Sequence, residues 1–198
     1  MRVAVGNYNI NGGKHFRSVA FKDVSLQDWL LYDKTDLVML NNQTKKVDFY
    51  AVGFEEMVDL DTKNIVSASG ENARLWSQEL LQTLNKEAGQ SYSLVTYTQL
   101  VGVCLYLFVR TELAPLVREV LVEQVKTGLG GTTGNKGTVC ISLTFRASSM
   151  VFACSHFAAG QSQVCNNKLA GLMISSWLRW RRGTATTRRP SRGSASVM

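Results

Sequence analysis

Phe49-Tyr-Ala-Val-Gly-Phe-Glu-Glu-Met57 is the stretch from which the fold can be read. Its first six residues form an apolar run of strand length, which reads as a buried strand. Two carboxylates, Glu55 and Glu56, follow directly. Carboxylates at the end of a buried strand suit a hard cation that prefers oxygen ligands and keeps several waters. Adjacent strand residues face opposite ways, so only one of the two is expected to point into a shared site. Without other support the pair reads as solvated charge.

Outward from this run the chain alternates strand-like and helix-like segments. Arg2–Tyr8, Asp48–Phe54, Tyr92–Thr98, Leu100–Arg110, Gly137–Phe145 and Ser149–Ser155 read as strands. Thr98–Leu100 and Arg146–Ser149 are short connections that predict hairpins on either side. Leu26–Leu31 reads as a short helix. The clearest helix is Glu71–Ala88, where Trp76, Leu80, Leu81 and Leu84 form one apolar stripe. Ser69 or Asn72 is placed to cap its start and Gly89 to end it. This order predicts a mixed α/β fold of antiparallel sheets with helices packed outside. No internal repeat is visible.

The chain has 198 residues, enough for one core, with 45% hydrophobic and 19% charged residues, as in globular proteins. Its four cysteines are widely spaced and only two histidines accompany them, which argues against a zinc site or a disulfide framework. Cys104, Cys140 and Cys154 lie in apolar runs, where free thiols act as small core residues, and a reducing cytoplasmic setting is the simpler reading. No signal peptide is visible, and the longest apolar stretch, Leu100–Val109, is far below the roughly 20 residues of a spanning helix. The net charge of +7 comes entirely from residues 165–198, which carry seven Lys/Arg and no acid, while residues 1–164 are formally neutral. Basicity therefore belongs to the tail.

Three further motifs carry potential chemistry. In Gly6-Asn-Tyr-Asn-Ile-Asn-Gly-Gly13, Asn9 and Asn11 share one face at a strand end, where amide oxygens can help bind a cation or a phosphoryl oxygen. Taken alone, the same residues build a turn. Lys126-Thr-Gly-Leu-Gly-Gly-Thr-Thr-Gly-Asn-Lys-Gly137 looks like a phosphate loop. It fails the Walker A pattern, because Asn135 separates Gly134 from Lys136, and it fails GxGxxG at Thr133. A Gly/Thr loop with one lysine remains, able to cradle an anion through backbone N–H groups or to serve as an ordinary hairpin loop. Finally, Ser155-His156-Phe157 ends a strand. His156 there could donate a hydrogen bond to a phosphoryl oxygen, or be merely structural. No GxSxG elbow supports a serine hydrolase.

Taken in order, GNYNINGG, VGFEEMVDL, KTGLGGTTGNKGTV and CSHFAAGQSQV closely resemble the inositol polyphosphate 5-phosphatase family, its synaptojanin-like members above all. The resemblance runs from about Arg2 to Val164 and includes FRSVAFKDVSLQDWLL, NIVSAS and QLVGVCLYLFVR. It implies a two-sheet α/β sandwich of the endonuclease/exonuclease/phosphatase (DNase I-like) superfamily. It also implies Mg2+ as cofactor, with Glu56 and Asn11 as metal ligands. Asn9 and His156 take catalytic positions, and Asn11, Asn135 and Lys136 meet the substrate's phosphates. The implied reaction is hydrolysis of the 5-phosphate of phosphatidylinositol 4,5-bisphosphate-type lipids by an in-line water. The implied partner is a phosphoinositide headgroup at a membrane surface, met by a cytoplasmic, peripheral protein that binds no nucleic acid. Tyr8, where synaptojanins usually have Trp, is a small departure.

The larger departure is C-terminal. The family's GDFNYR-type motif with its water-activating Asp, its WCDR-type motif and its SDH-type motif with a second histidine do not occur in the sequence. Residues 1–164 are thus expected to be the N-terminal part of the catalytic domain, and 165–198 a basic non-domain tail, disordered in part. Gln163-Val-Cys165 is also what an unspliced exon junction would encode in frame. The sandwich is expected to be incomplete at its C-terminus, with activity weak or absent. Strands meant to be central would become edges, so the chain is expected to aggregate or behave as a molten species, which a cooperative thermal melt would contradict. Two alternatives are a magnesium-dependent nuclease of the same superfamily and a non-enzymatic product whose basic tail binds anionic membranes.

Overall fold

A computed structural model of the protein describes residues 1–12, 26–31, 46–58, 65–87, 91–128 and 133–157, with side chains for all of these except 65–69, 87, 128 and 133–135. The elements are β1 (Val3–Asn9), α1 (Leu26–Leu30), β2 (Phe49–Glu55), α2 (Ile65–Glu87), β3 (Tyr92–Leu100), β4 (Val103–Arg110), a 3-10 turn (Thr111–Leu116), β5 (Val117–Gly128), β6 (Thr133–Phe145) and β7 (Ser148–His156). Two sheets form, one in the order β1-β2-β4-β3 and the other β5-β6-β7. Only β1 and β2 run parallel; the other pairs are antiparallel.

The apolar runs of β2 and β4 are continuous because both faces of these strands are covered. Phe49, Ala51, Leu105, Leu107 and Val109 turn to the second sheet and meet Val139, Ile141, Leu143 and Phe145. Tyr50, Val52, Phe54, Cys104, Tyr106 and Phe108 turn the other way, onto Ala73, Trp76, Leu80 and Leu84 of α2. Phe54 sits at the centre of this layer, 4.7 Å from Trp76 and 5.8 Å from Tyr106, ring to ring. Each such fully buried side chain contributes about 1.5–3 kcal/mol of hydrophobic stabilisation. The Tyr106 hydroxyl donates to the Ala73 carbonyl at 3.0 Å, which fastens the helix to the sheet. The layers are therefore helix, four-stranded sheet, three-stranded sheet: the α/β sandwich expected from the sequence.

Several details differ from the sequence reading. Helix α2 starts at Ile65, so neither Ser69 nor Asn72 caps it; the Asn72 amide instead donates to the Met57 carbonyl at 2.9 Å. Trp76, Leu80 and Leu84 are buried, whereas Leu81 is only partly so. The β3–β4 turn is Val101-Gly102, because β3 keeps pairing through Leu100. Strand β5 had no counterpart in the sequence reading. Among the described residues it pairs only with β6, and it exposes Leu121 and Val122, so it shows neither a buried run nor clean alternation. Gly89 and the tail 165–198 lie outside the described residues.

Among the described residues β3 and β5 are edge strands, and so are β1 and β7, with Val5 of β1 75% exposed. A cavity of about 420 Å³ opens between β1 and β7, lined in part by Val5, Asn7, Val151 and Cys154. Both faces of β2 and β4 are packed. Cys104, Cys140 and Cys154 are buried free thiols, as expected. Among the described residues no helix is long and apolar enough to cross a membrane.

Candidate active site

Strands β1 and β2 end side by side, with Asn9 paired to Glu55. The chain after β1 is stitched to the chain after β2: Ile10 N–H donates to the Glu55 carbonyl and Gly12 N–H to the Glu56 carbonyl, both at 2.9 Å. Strand β7 of the second sheet ends at the same rim with His156, opposite Gly137 of β6. Gly137 has φ +155°, and a Cβ there would lie 2.2 Å from the Val125 carbonyl oxygen. Only glycine allows β6 to lie this close to β5 at the residue that follows Lys136.

The rim gathers a compact polar cluster. His156 Nδ1 lies 3.0 Å from Glu55 Oε2, and its Nε2 lies 3.6 Å from Glu56 Oε1. Lys136 Nζ hydrogen-bonds the same Nε2. The Asn7 amide donates to Glu55 Oε1 at 3.0 Å, and its Oδ1 accepts from the Cys154 thiol at 3.4 Å. Burial, reinforced by the nearby Glu55 charge, pushes the Cys154 thiol up to about 12, so it stays a protonated donor. The His156 side chain is 12% exposed, Glu55 18% and Glu56 33%.

The sequence reading allowed only one of the two glutamates into a shared site, and this is corrected. Both reach His156, because Glu56 adopts φ 54°, a left-handed conformation that ends the strand and breaks its alternation. Such conformations in non-glycine residues cost on the order of 1 kcal/mol and concentrate at functional sites. Asn9 and Asn11 do not share a strand face either: Asn11 has φ 45° and its N–H donates to Asn9 Oδ1 at 3.0 Å, which is a turn. That turn still lies on the backbone of Glu55 and Glu56.

Of the residues singled out from sequence, the side chains of Glu56, His156 and Lys136 converge. Asn9 and Asn11 reach the same rim through their backbone, and among the described residues their amides make no hydrogen bond to Glu56 or His156. The Asn135 side chain lies outside the described set. Glu55 and Asn7 were missed as members of the cluster. Nothing in a strand-internal asparagine marks Asn7, and the alternation rule turned attention from Glu55.

A divalent ion fits this rim as a sparse, oxygen-only site. Among the described residues no group of three or more His, Cys, Asp or Glu is arranged to hold a metal. Glu56 is the accessible carboxylate, and Asn9 Oδ1 keeps a lone pair beyond its bond to Asn11. A single carboxylate with amide oxygens and water is a donor set for a hard divalent cation that keeps part of its water shell.

The chain matches the Endonuclease/Exonuclease/phosphatase family 2 over residues 7–186 and belongs to that family. Within it the chain is synaptojanin-like, on the inositol polyphosphate 5-phosphatase branch. It is 52% identical to human synaptojanin-1 over 168 residues, covering 83% of this chain and 10% of that protein. It is 40% identical to synaptojanin of Caenorhabditis elegans over 165 residues, 83% of this chain and 15% of that one. Among solved structures it resembles the inositol polyphosphate 5-phosphatase domain of SPsynaptojanin, in complex with inositol (1,4)-bisphosphate and calcium. The TM-score is 0.60 at 29% identity, covering 80% of this chain and 40% of that domain. The chain thus spans well under half the length of these relatives.

Proposed function

We propose that this chain carries part of a magnesium-dependent phosphoinositide 5-phosphatase site, acting on the headgroup of phosphatidylinositol 4,5-bisphosphate-type lipids at a cytoplasmic membrane surface. One observation carries the proposal: Glu56 just past β2, His156 at the end of β7 and Lys136 of β6 meet at one rim. The solved relative with inositol (1,4)-bisphosphate supports an inositol phosphate as the ligand class.

In this reading Lys136, with Asn135 and Asn11, binds the phosphates as a fixed cation with amide donors. His156, held in the rim by Glu55, meets a phosphoryl oxygen of the scissile group, with Asn9 beside it. Mg2+, held by Glu56 and Asn11, would supply charge stabilisation at the 5-phosphate. Residues 1–164 supply the part of the domain that carries this rim, and the basic residues of 165–198 follow it, with the family match running on to residue 186.

The test is calorimetry of a soluble 5-phosphorylated inositol headgroup against the whole chain, with Mg2+ and with EDTA, beside phosphate release and duplex DNA cleavage. Binding that needs Mg2+ and is lost in Lys136→Ala is expected. Metal-dependent DNA cleavage without headgroup binding would overturn the proposal in favour of a nuclease.

A further inference from the structure

We propose that Glu55 is a positioning residue that holds His156 as its Nδ1–H tautomer and leaves Nε2 as the ring nitrogen facing the phosphate site. The functional meaning rests on the 5-phosphatase reading, but the wiring itself does not.

The donor and acceptor inventory of the cluster leads to one arrangement. The Glu55 carboxylate only accepts, so at 3.0 Å His156 Nδ1 must carry the hydrogen. The Lys136 ammonium only donates, so Nε2 must present its lone pair. Glu55 Oε1 is braced in turn by the Asn7 amide at 3.0 Å. The orientation of that amide is fixed at its other end, where Asn7 Oδ1 accepts the Cys154 thiol at 3.4 Å. Donors therefore run into the Glu55 carboxylate from both sides, from Cys154 through Asn7 and from Lys136 through His156, with no donor facing a donor. A ring protonated on both nitrogens could also face Glu55 and Glu56, but only with Lys136 Nζ withdrawn from Nε2.

This wiring assigns the two glutamates different tasks although they are neighbours in sequence. Glu55 is mostly buried and its oxygens are both engaged within the protein. Glu56 is the more exposed and keeps its carboxylate at the rim. A buried charge-assisted hydrogen bond is roughly twice as strong as a neutral one, enough to set a tautomer. Without Glu55 the ring is free to adopt the Nε2–H form that an unconstrained histidine side chain favours.

The chain has two histidines, so His15→Gln leaves His156 as the only imidazole. In that background, long-range proton–nitrogen correlation spectra of the labelled ring, recorded with the ring neutral, read the tautomer directly. The Nδ1–H form is expected to dominate. Glu55→Ala should shift the ratio toward Nε2–H by on the order of tenfold, with Lys136→Ala shifting it less. Should Glu55→Ala not fold, Glu55→Gln decides: its carbonyl is a neutral acceptor, so the ratio should fall by about fivefold. A predominantly Nε2–H ring in the parent, or a ratio unmoved by the Glu55 substitution that folds, overturns the proposal. Loss of headgroup binding with the tautomer intact would count against the 5-phosphatase reading alone.

Discussion

The two ends of β2 both carry carboxylates, and they are put to opposite uses. At the entry end Asp48 is matched on every side. Its Oδ1 accepts from Arg110 Nη2 and its Oδ2 from the Arg2 N–H, both at 2.8 Å, and the chain's amino terminus lies 3.7 Å from it. Arg110 is shared with Glu112 at 3.0 Å. At the exit end Glu55 and Glu56 share one histidine and one lysine that lies against that histidine rather than against either carboxylate. Charges that are matched within the protein stabilise a junction. Carboxylates left with spare lone pairs at a rim can take a cation or order a ring. The difference lies in how many partners the fold supplies, not in residue type.

The largest effect on stability is expected at the closed end. Asp48 and Arg110 side chains are 15% and 17% exposed, so Asp48→Ala leaves a mostly buried guanidinium without its main partner. Breaking such a pair costs roughly 3–5 kcal/mol. Urea denaturation at low protein concentration should show this loss, while Mg2+-dependent headgroup binding by the remaining folded chain is unchanged. A binding loss as large as the stability loss would mean that the ends are coupled. Next in size is Gly137→Ala, where the added Cβ meets the Val125 carbonyl oxygen and the Leu100 side chain in a conformation that disfavours it. Overpacking of this kind costs about 1–3 kcal/mol. Because Gly137 pairs with His156, headgroup binding should weaken along with stability. Intact binding in that variant would show that the β5–β6 approach does not place Lys136.

How much of this was legible in the sequence follows from burial. Strands β2 and β4 could be read because, covered on both faces, they are continuous apolar runs. The stripe of α2 could be read for the same reason, on one face. Strand β5 could not: it is an edge, interleaves Arg118, Glu119, Glu123 and Lys126 with its apolar residues, and has an irregular register after Arg118. Charged edges of this sort prevent pairing with other chains and erase the periodic signal at once. At the site, Glu56 could be named because it follows an apolar run beside another carboxylate, Lys136 because it belongs to a Gly/Thr-rich stretch, and His156 because it closes an apolar strand. Glu55 and Asn7 could not, because one left-handed residue overrides alternation and because the partners are 48 and 101 residues apart in sequence.

A smaller effect, per group, separates the core from both ends. Burial pushes the Cys104 thiol up to about 12 and the Cys140 thiol up to about 11, from an ordinary value of 9.0. Cys154 lies similarly high. Above about pH 9 the unfolded chain therefore holds fewer protons than the folded one, and stability falls as pH rises, by about 1.4 kcal/mol per thiol for each unit until the folded thiol ionises. The urea midpoint should drop between about pH 8 and about pH 10 by the same amount in the parent and in Asp48→Ala, since distant sites add. Unequal drops would show that the ion pair and the thiols are not independent.

The smallest stability change, and the sharpest functional one, is expected at Glu56. Its side chain is a third exposed, and its contact with His156 is a 3.6 Å ion contact rather than a hydrogen bond. Glu56→Gln keeps the shape and tolerates the same backbone, so stability should move by no more than about 0.5 kcal/mol. The neutral amide nevertheless removes the accessible carboxylate from the rim, so Mg2+-dependent binding of the inositol headgroup should disappear in calorimetry. The same substitution at Glu55 should leave Mg2+ binding in place and act through His156. If Glu56→Gln instead destabilised the chain as strongly as Asp48→Ala, the carboxylate would be a structural partner of His156, and both ends of β2 would be junctions of one kind.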